Sequence, residues 1–206
     1  MKMKFNRLNM GCGFKKMQGY WNVDAFENCN PDEVFDFEST LWPWVDDSVE
    51  RIHANNCLEH LGQSPKQFLN ILKEMYRISK DGCLWDIIVP HHRCDVQWND
   101  FTHVRVITPS TFELFNQEKN IDTMNSNFSD SVFGLMYNMD LEVKDVKYDL
   151  THLFSSKENT KHPSGHSQID IDLNTLCNVA QSLTIKVQVH KPERYPNFLK
   201  NKNLKK

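Results

Sequence analysis

The alternation of apolar and polar positions divides the first half of the chain into short strands and one clear helix. Apolar runs predict strands that end near residues 10, 24, 37, 54 and 90. Between the last two, apolar residues recur at helical spacing from Phe68 to Ile78. Ser64 and Pro65 suit the start of this helix, and Asp81-Gly82 is expected to end it. Strands that alternate with helices predict an α/β fold with a mostly parallel sheet.

The second half has a weaker pattern. Thr108-Pro109 begins a second predicted helix, and residues 121–134 are expected to form a loop. A strand is predicted at residues 141–148, with a bulge where its alternation slips. Residues 183–190 alternate strictly, which predicts an antiparallel strand near the edge of the sheet. Residues 151–168 are polar and contain Gly and Pro, so we expect a mobile loop there.

Composition narrows the class of protein. The 206 residues fit one domain, which we place at 1–193, followed by a basic tail at 194–206 that is expected to be disordered. The net charge of −3 argues against a nucleic-acid partner. No segment has the pattern of a signal peptide or a membrane span. The six cysteines are scattered and are expected to be free thiols, which favours a cytoplasmic location and no membrane partner.

Two glycines follow the first predicted strand, at Gly11 and Gly13. Glycine is favoured where a turn must bring its backbone against a ligand, although a plain tight turn needs it too. The second predicted strand ends on Asp24, eleven residues beyond Gly13. A glycine turn, a strand and then a carboxylate are typical of Rossmann-like sheets that hold a nucleoside through its ribose. The missing third glycine and the short spacing favour a cofactor smaller than a dinucleotide.

A polar segment rich in histidine follows the fifth predicted strand. It contains His91, His92, Asp95, Asp100 and His103. These residue types could ligate a divalent metal ion, but their spacing matches no tight ligand pattern, so we expect no metal. A histidine here could act as a general base, because its pKa lies near neutral pH.

Several segments together resemble the class I S-adenosylmethionine-dependent methyltransferases, most closely the small bacterial and phage members called methyltransferase type 11-like. The matching segments lie between residues 5 and 115 in the expected order: Leu8-Asn9-Met10-Gly11-Cys12-Gly13, Gly19-Tyr20-Trp21-Asn22-Val23-Asp24, Trp42-Pro43-Trp44 with Asp46-Asp47-Ser48-Val49, Leu58-Glu59-His60-Leu61, Glu74-Met75-Tyr76-Arg77-Ile78, Asp81-Gly82-Cys83-Leu84, and Thr102-His103-Val104-Arg105 with Thr108-Pro109. The resemblance implies a Rossmann-like class I methyltransferase sheet, mostly parallel with an antiparallel late strand and an abridged first helix.

The resemblance also implies an activity and a set of site residues. The activity is methyl transfer from S-adenosylmethionine to an oxygen or nitrogen of a small-molecule or sugar-like acceptor, which leaves S-adenosylhomocysteine. The implied cofactor-binding residues are Asn9, Gly11, Cys12, Gly13, Asp24, Asp36, Leu41, Asn55 and Asn56. Asn9 departs from the acidic residue that many members have at this position. The catalytic candidates are His103, His92 and Asp100, and the substrate-binding candidates are His60, His91 and Arg105.

Other function classes stay open. A binding module that keeps the nucleoside pocket without turnover would have nearly the same sequence. A metal-dependent hydrolase built on the cluster from His91 to His103 is a more remote alternative. A nicotinamide-dependent oxidoreductase is disfavoured by the missing third glycine and by the short spacing to Asp24. The sequence leaves open the methyl acceptor and the oligomeric state.

Overall fold

The computed structural model describes residues 5–126, 130–155 and 167–199. In this part of the chain, seven strands form one sheet in the order β3-β2-β1-β4-β5-β7-β6. The strands are β1 (Arg7–Met10), β2 (Trp21–Asp24), β3 (Glu33–Val34), β4 (Val49–Asn55), β5 (Ser79–Pro90), β6 (Leu141–Leu150) and β7 (Ala180–Val189). The first five strands pair in parallel, whereas β7 is antiparallel to both β5 and β6. The predicted mostly parallel sheet with an antiparallel late strand is confirmed.

Six helices are described along with two 3-10 turns at Glu27–Cys29 and Leu58–His60. The helices are α1 (Pro65–Ile78), α2 (Asp95–Asn99), α3 (Pro109–Glu113), α4 (Gln117–Asn125), α5 (Phe133–Tyr137) and α6 (Gln168–Thr175). The hydroxyl of Ser64 accepts a hydrogen bond from the Gln67 N–H, as expected for an N-cap. The apolar face predicted for α1 is buried, from Phe68 through Ile78. None of the described helices is long and apolar enough to cross a membrane.

Two predicted boundaries were wrong, each for a local reason. Helix α1 ends at Ile78 and β5 begins at the next residue, so Asp81-Gly82 lies inside the strand, where Gly82 has a φ of +72° and the pairing with β4 shifts register. Strand β3 is only two residues long because Phe35 and Phe37 turn into an aromatic cluster with Trp42 and Trp44.

The segment expected to be a loop at residues 121–134 is largely helical, because α4 and α5 cover parts of it. Polar groups hold these helices in place, so no apolar period marks them. Asn116 caps α4 by accepting from the Lys119 N–H. The buried Asn120 amide donates to the Leu114 carbonyl and accepts from the Leu135 N–H.

The bulge predicted in β6 is present, since its register against β7 shifts between Val143 and Asp145. The expected loop at 151–168 is described only at its ends, and residues 156–166 lie outside the described residues. Helix α6, directly after it, has no counterpart in the sequence prediction.

Arg194 and Tyr195, just past the predicted domain boundary, bond to residues of the domain. The Arg194 guanidinium donates to both oxygens of Asp140, whose side chain is fully buried, and it also pairs with Glu118. The Tyr195 N–H donates to the Gln117 side chain. Residues 200–206 lie outside the described residues. The domain boundary at residue 193 and a disordered tail beyond it stay predictions.

The connection between β1 and β2 contains no helix, which confirms the predicted abridged crossover. A buried amide network holds it instead. The Asn22 oxygen accepts from the Asn9 amide at 2.9 Å and from the Met17 N–H at 2.7 Å, while the Asn22 nitrogen donates to the Asp32 carboxylate. Asn9 also donates to the Lys15 carbonyl. These bonds fix the short glycine-containing loop against the sheet.

We expect Asn22→Ala to lower the free energy of unfolding by about 2–4 kcal/mol, because several buried polar groups lose their partners together. Urea denaturation of the purified chain measures this change. Asn125→Ala, an exposed amide at the end of α4, is the matched control and should change stability by less than about 0.5 kcal/mol. Equal losses in the two variants would contradict the role given to Asn22.

Candidate active site

The carboxyl ends of β1, β2 and β4 meet at one edge of the sheet. Because these strands are parallel and adjacent, the glycine loop after β1, Asp24 at the end of β2, and Asn55-Asn56 at the end of β4 come together there. Open α/β sheets bind ligands at this edge. The structure thus brings together most of the cofactor-binding candidates.

Gly11 and Gly13 have different roles in the loop, and both have positive φ. A Cβ added to Gly11 would lie 2.6 Å from the Cys57 sulfur, so this glycine lets the loop pack against the segment after β4. A Cβ on Gly13 would meet nothing within 4 Å. Gly13 therefore borders open space at the strand edge, where a ligand can approach the backbone closely.

The carboxylate of Asp24 is held in a fixed orientation at this edge. One oxygen accepts from the Gly13 N–H at 2.7 Å, and the other accepts from the Phe26 N–H at 2.9 Å. Each carboxylate oxygen has a further lone pair available. Asp24 can thus accept two more hydrogen bonds, as a pair of ribose hydroxyls would require.

Buried thiols lie behind this edge. Burial raises the pKa of Cys12 to about 12, with the neighbouring Cys29 and Asp24 adding to the effect. Burial also raises the pKa of Cys57, and the charges of Glu59 and Asp24 raise it further. Both thiols therefore stay protonated at neutral pH and act as packing groups. Cys57 lies near enough to both Asp24 and Glu59 to be affected by their charges. The segment after β4 is therefore close to the glycine loop.

The other cofactor-binding candidates have diverse environments. Asn9 is buried in the amide network, whereas Asn56 is exposed with a φ of +50°. Asp36 is exposed and accepts from the Glu38 N–H within its own turn. Leu41 is exposed over 81% of its surface, and Phe14 beside Gly13 over 80%. The roles of Asp36 and Leu41 in cofactor binding stay predictions.

A polar cluster follows β4 and includes three of the sequence candidates. The His60 and His103 rings contact edge to face at 4.6 Å, and His60 Nδ1 lies 2.9 Å from the Thr102 hydroxyl. Asp100 accepts from both the N–H and the hydroxyl of Thr102. Those contacts with Thr102, followed by the charges of the two histidines, lower the pKa of Asp100.

Glu59 belongs to the same cluster, although the sequence analysis did not select it. Its side chain is fully buried, and burial raises its pKa to about 7, while the nearby His103 lowers it. The N–H groups of Cys57 and Glu59 also lower this pKa, yet no hydrogen bond of standard geometry reaches either carboxylate oxygen within the described residues. Burial cannot be read from a polar residue in a loop, so only its neighbour His60 drew attention.

The histidines at the start of the polar segment are separate from this cluster. His91 is buried and packs against His92 and Tyr148, with ring centroids at 4.4 and 5.7 Å. Asp95 bonds Asn178. The His103 ring instead contacts the His60 ring. Histidines that are close along the sequence therefore lie in two separate places in the fold. A function for His91 or His92 in the substrate site stays a prediction.

Arg105 is occupied by main-chain groups. Its guanidinium donates to the carbonyls of Leu61 and Gly62 and stacks on the Phe68 ring, with the guanidinium carbon 3.9 Å from the centroid. Burial lowers its pKa. These contacts stabilise the loop that follows His60, and binding of a substrate anion by Arg105 stays a prediction.

An apolar cavity of about 500 Å³ lies between α1 and the segments of α3 and α5. Phe68, Leu72, Phe115 and Phe133 are among its lining residues, and Arg105 lies at its wall. None of the nine cofactor-binding candidates lines it. The cavity is therefore distinct from the strand edge that holds Asp24.

Comparisons with known proteins identify the architecture. No protein-family model matches this chain, and no curated protein matches it in sequence. Among solved structures, a SAM-dependent methyltransferase from Archaeoglobus fulgidus is similar over 88% of this chain and 85% of its own, with 17% identity and a TM-score of 0.56. The chain has the fold of a class I methyltransferase.

Two further solved structures are similar to this chain at lower TM-scores. One is a methyltransferase in complex with the Trm112 activator from Haloferax volcanii, at 13% identity and a TM-score of 0.48, with 92% and 84% of the two chains covered. The other is described as an S-adenosylmethionine-dependent methyltransferase from Listeria monocytogenes, at 14% identity and a TM-score of 0.47, with 90% of each chain covered. At 17% identity the similarity to the Archaeoglobus fulgidus structure establishes the fold alone.

We expect acid to destabilise the protein through His91. Burial, with the charges of His92 and Arg93, lowers the pKa of His91 to about 4. Between about pH 6.5 and pH 4, His91 is therefore protonated in the unfolded chain but neutral in the folded chain. Stability due to His91 is complete above about pH 6.5 and is lost as the pH falls. From about pH 7.5 to 5, the loss should be roughly 1–2 kcal/mol.

Urea denaturation at both pH values measures this loss. His91→Asn removes the titrating group and should reduce the pH dependence, whereas His152→Asn, at an exposed position, should leave it unchanged. A His91→Asn variant with the wild-type pH dependence would show that His91 is not responsible.

Proposed function

We propose that this chain is a methyltransferase that binds S-adenosylmethionine at the strand edge formed by β1, β2 and β4. One observation carries the proposal: the Asp24 carboxylate is fixed beside the open space over Gly13, with lone pairs left on both of its oxygens. Ribose hydroxyls are the natural partners of such a carboxylate in this kind of sheet. The class I methyltransferase fold supports the same assignment.

The residues present fit this cofactor. Gly13 leaves room for the main chain to contact a ligand, and a side chain at this position would fill that room. Phe14, Phe26 and Leu41 are exposed apolar residues on loops after β1, β2 and β3, where an adenine ring could cover them. Asn55 and Asn56 end β4 at the same edge, and we assign them to the part of the site that faces the methyl donor.

When bound, S-adenosylmethionine would supply a methyl group on a sulfonium sulfur: an oxygen or nitrogen lone pair of the acceptor would bond to the methyl carbon as the carbon–sulfur bond breaks, and S-adenosylhomocysteine would leave. The work of the protein is to align the acceptor with that methyl group and to exclude water. We place the acceptor beside the polar cluster that follows β4, which contains His60, Asp100 and His103. We propose that His103 and Asp100 of this cluster act on the acceptor and that His60 helps to bind it, whereas catalysis by His92 and substrate binding by His91 and Arg105 stay predictions.

We propose a small-molecule acceptor, such as a sugar-like compound with a hydroxyl group. The net charge of −3 gives the chain no overall electrostatic attraction to the nucleic-acid backbone, which favours a small acceptor. The polar cluster offers carboxylate and imidazole groups that can bind and deprotonate a hydroxyl.

We expect the purified chain to bind S-adenosylmethionine and S-adenosylhomocysteine with micromolar affinity, and NADH far more weakly. Asp24→Asn keeps an oxygen that can accept from a backbone N–H but loses the charge, so the affinity for both ligands should fall by at least about tenfold. Isothermal titration calorimetry measures all three ligands. Asp122→Asn, an exposed acid on α4, should bind like the wild type.

Two results would count against this proposal in different ways. Failure of the wild-type chain to bind either ligand would remove the cofactor assignment itself. Binding that is followed by no methylated product across a panel of hydroxyl and amine acceptors would favour a non-catalytic binding module.

A further inference from the structure

The polar cluster after β4 contains a carboxylate that its own chain does not satisfy. Glu59 has no exposed surface, and neither oxygen accepts a hydrogen bond of standard geometry from the described residues. Buried polar groups in proteins nearly always have a partner, and an unpaired buried carboxylate costs several kcal/mol. The main chain nevertheless fixes this residue firmly, since the Glu59 carbonyl accepts from the N–H groups of Val104 and Arg105. The same bonds position His103 beside it.

Hydrogen bonds determine which nitrogen of each histidine has a free lone pair. His103 Nδ1 lies 2.8 Å from the Gln97 carbonyl, which can only accept, so Nδ1 carries the proton and Nε2 the lone pair. The Thr102 hydroxyl donates to Asp100 at 2.6 Å and therefore accepts from His60 Nδ1. His60 thus also keeps its lone pair on Nε2. Metal-binding histidines are held in this way, with the other ring nitrogen bonded to a carbonyl or a carboxylate-linked group.

The three side chains converge. One oxygen of Glu59 and one nitrogen from each of His60 and His103 lie within 4.8 Å of one another. Ligand atoms about 2.1 Å from a tetrahedral metal ion are roughly 3.4 Å apart, so the three groups are within about 1.5 Å of the spacing that an ion requires. Asp100 lies on the outside, with an oxygen 3.9 Å from His103 Nε2.

We propose that Glu59, His60 and His103 bind a divalent transition-metal ion of the Zn²⁺ type. Two imidazoles and one carboxylate suit Zn²⁺ and its first-row neighbours, whereas Mg²⁺ and Ca²⁺ prefer sites made of oxygen ligands alone. The ion gives the buried Glu59 carboxylate its partner. Three protein ligands leave a coordination position open, as in catalytic rather than structural zinc sites.

The position of the site indicates its use, and this part rests on the proposed function. The 3-10 turn with Glu59 and His60 follows β4 directly, so the metal site lies next to the strand edge assigned to the cofactor. An acceptor hydroxyl at the open position would have its pKa lowered by the metal ion and would release its proton to solvent. Glu59, His60 and His103 would hold the ion, and the acceptor oxygen would then form its bond to the methyl carbon as S-adenosylhomocysteine leaves.

The experiment is metal binding by the full chain after removal of metal with a chelator. We expect one equivalent of Zn²⁺ by equilibrium dialysis and elemental analysis. Glu59→Gln has the same shape without the charge, and it should weaken binding at least about tenfold, as should His103→Asn. Thermal unfolding of each variant without metal checks that it is folded.

A second cluster in the chain provides the matched control. Cys12, Asp24 and Cys29 also bring potential ligand atoms within 4.8 Å of one another. The double variant Cys12→Ser with Cys29→Ser should therefore keep the zinc affinity. Binding that is lost in this variant but kept in Glu59→Gln would overturn the proposal.

Cobalt substitution tests the site without any variant, in case a substitution prevents folding. Co²⁺ bound by imidazole and carboxylate should show visible absorption without the near-ultraviolet charge-transfer band of cobalt–thiolate bonds. A thiolate band, or binding of less than a stoichiometric amount of metal, would rule the site out.

Titration with S-adenosylhomocysteine in parallel separates the two proposals. Cofactor binding without metal binding refutes the metal site alone, and metal binding without cofactor binding refutes the proposed function alone.

Discussion

The site depends on a short loop that a helix would ordinarily stabilise. Between β1 and β2 the chain has only ten residues. The buried side-chain amide of Asn22 stabilises this connection through simultaneous hydrogen bonds with Asn9, Met17 and Asp32. Because β1 and β2 are held by this network, the main chain of Gly13 meets the Asp24 carboxylate at 2.7 Å. Directional hydrogen bonds, rather than an apolar helix face, set the shape of the strand edge.

Periodicity predicted the elements that are stabilised by apolar packing. The helix from Pro65 and the strictly alternating β7 follow from spacing alone, because each buries one regular face. Prediction was wrong where polar groups or a single backbone angle decide the structure. Helices α4 and α5 are held by Asn116 and Asn120, and the positive φ of Gly82 lets β5 begin several residues early. Side-chain hydrogen bonds and single backbone angles produce no apolar periodicity, so the pattern of apolar positions does not contain them.

The same distinction applies to the site. The sequence predicted that Asp24 and the two glycines lie together, and the strand order does place them at one edge; their role in cofactor binding stays a prediction. The histidines were grouped by their closeness along the chain, yet His91 packs on Tyr148 while His103 packs on His60. Glu59 was missed because its importance comes from complete burial, which a charged residue in a polar stretch does not reveal. Only the fold shows that a residue after β4 and one after β5 face each other.

The pairing of β5 with the late strand β7 has a consequence for folding during synthesis. Strand β5 is central in the finished sheet, but its antiparallel partner β7 begins only at Ala180, whereas β5 ends at Pro90. During synthesis, the segments that form the strand edge with Asp24 emerge early, while one side of β5 has no strand to pair with until the end of β7 has left the ribosome. An unpaired apolar strand is a template for aggregation. The nascent chain is therefore most exposed to misassembly after its site residues have been made and before its sheet can close.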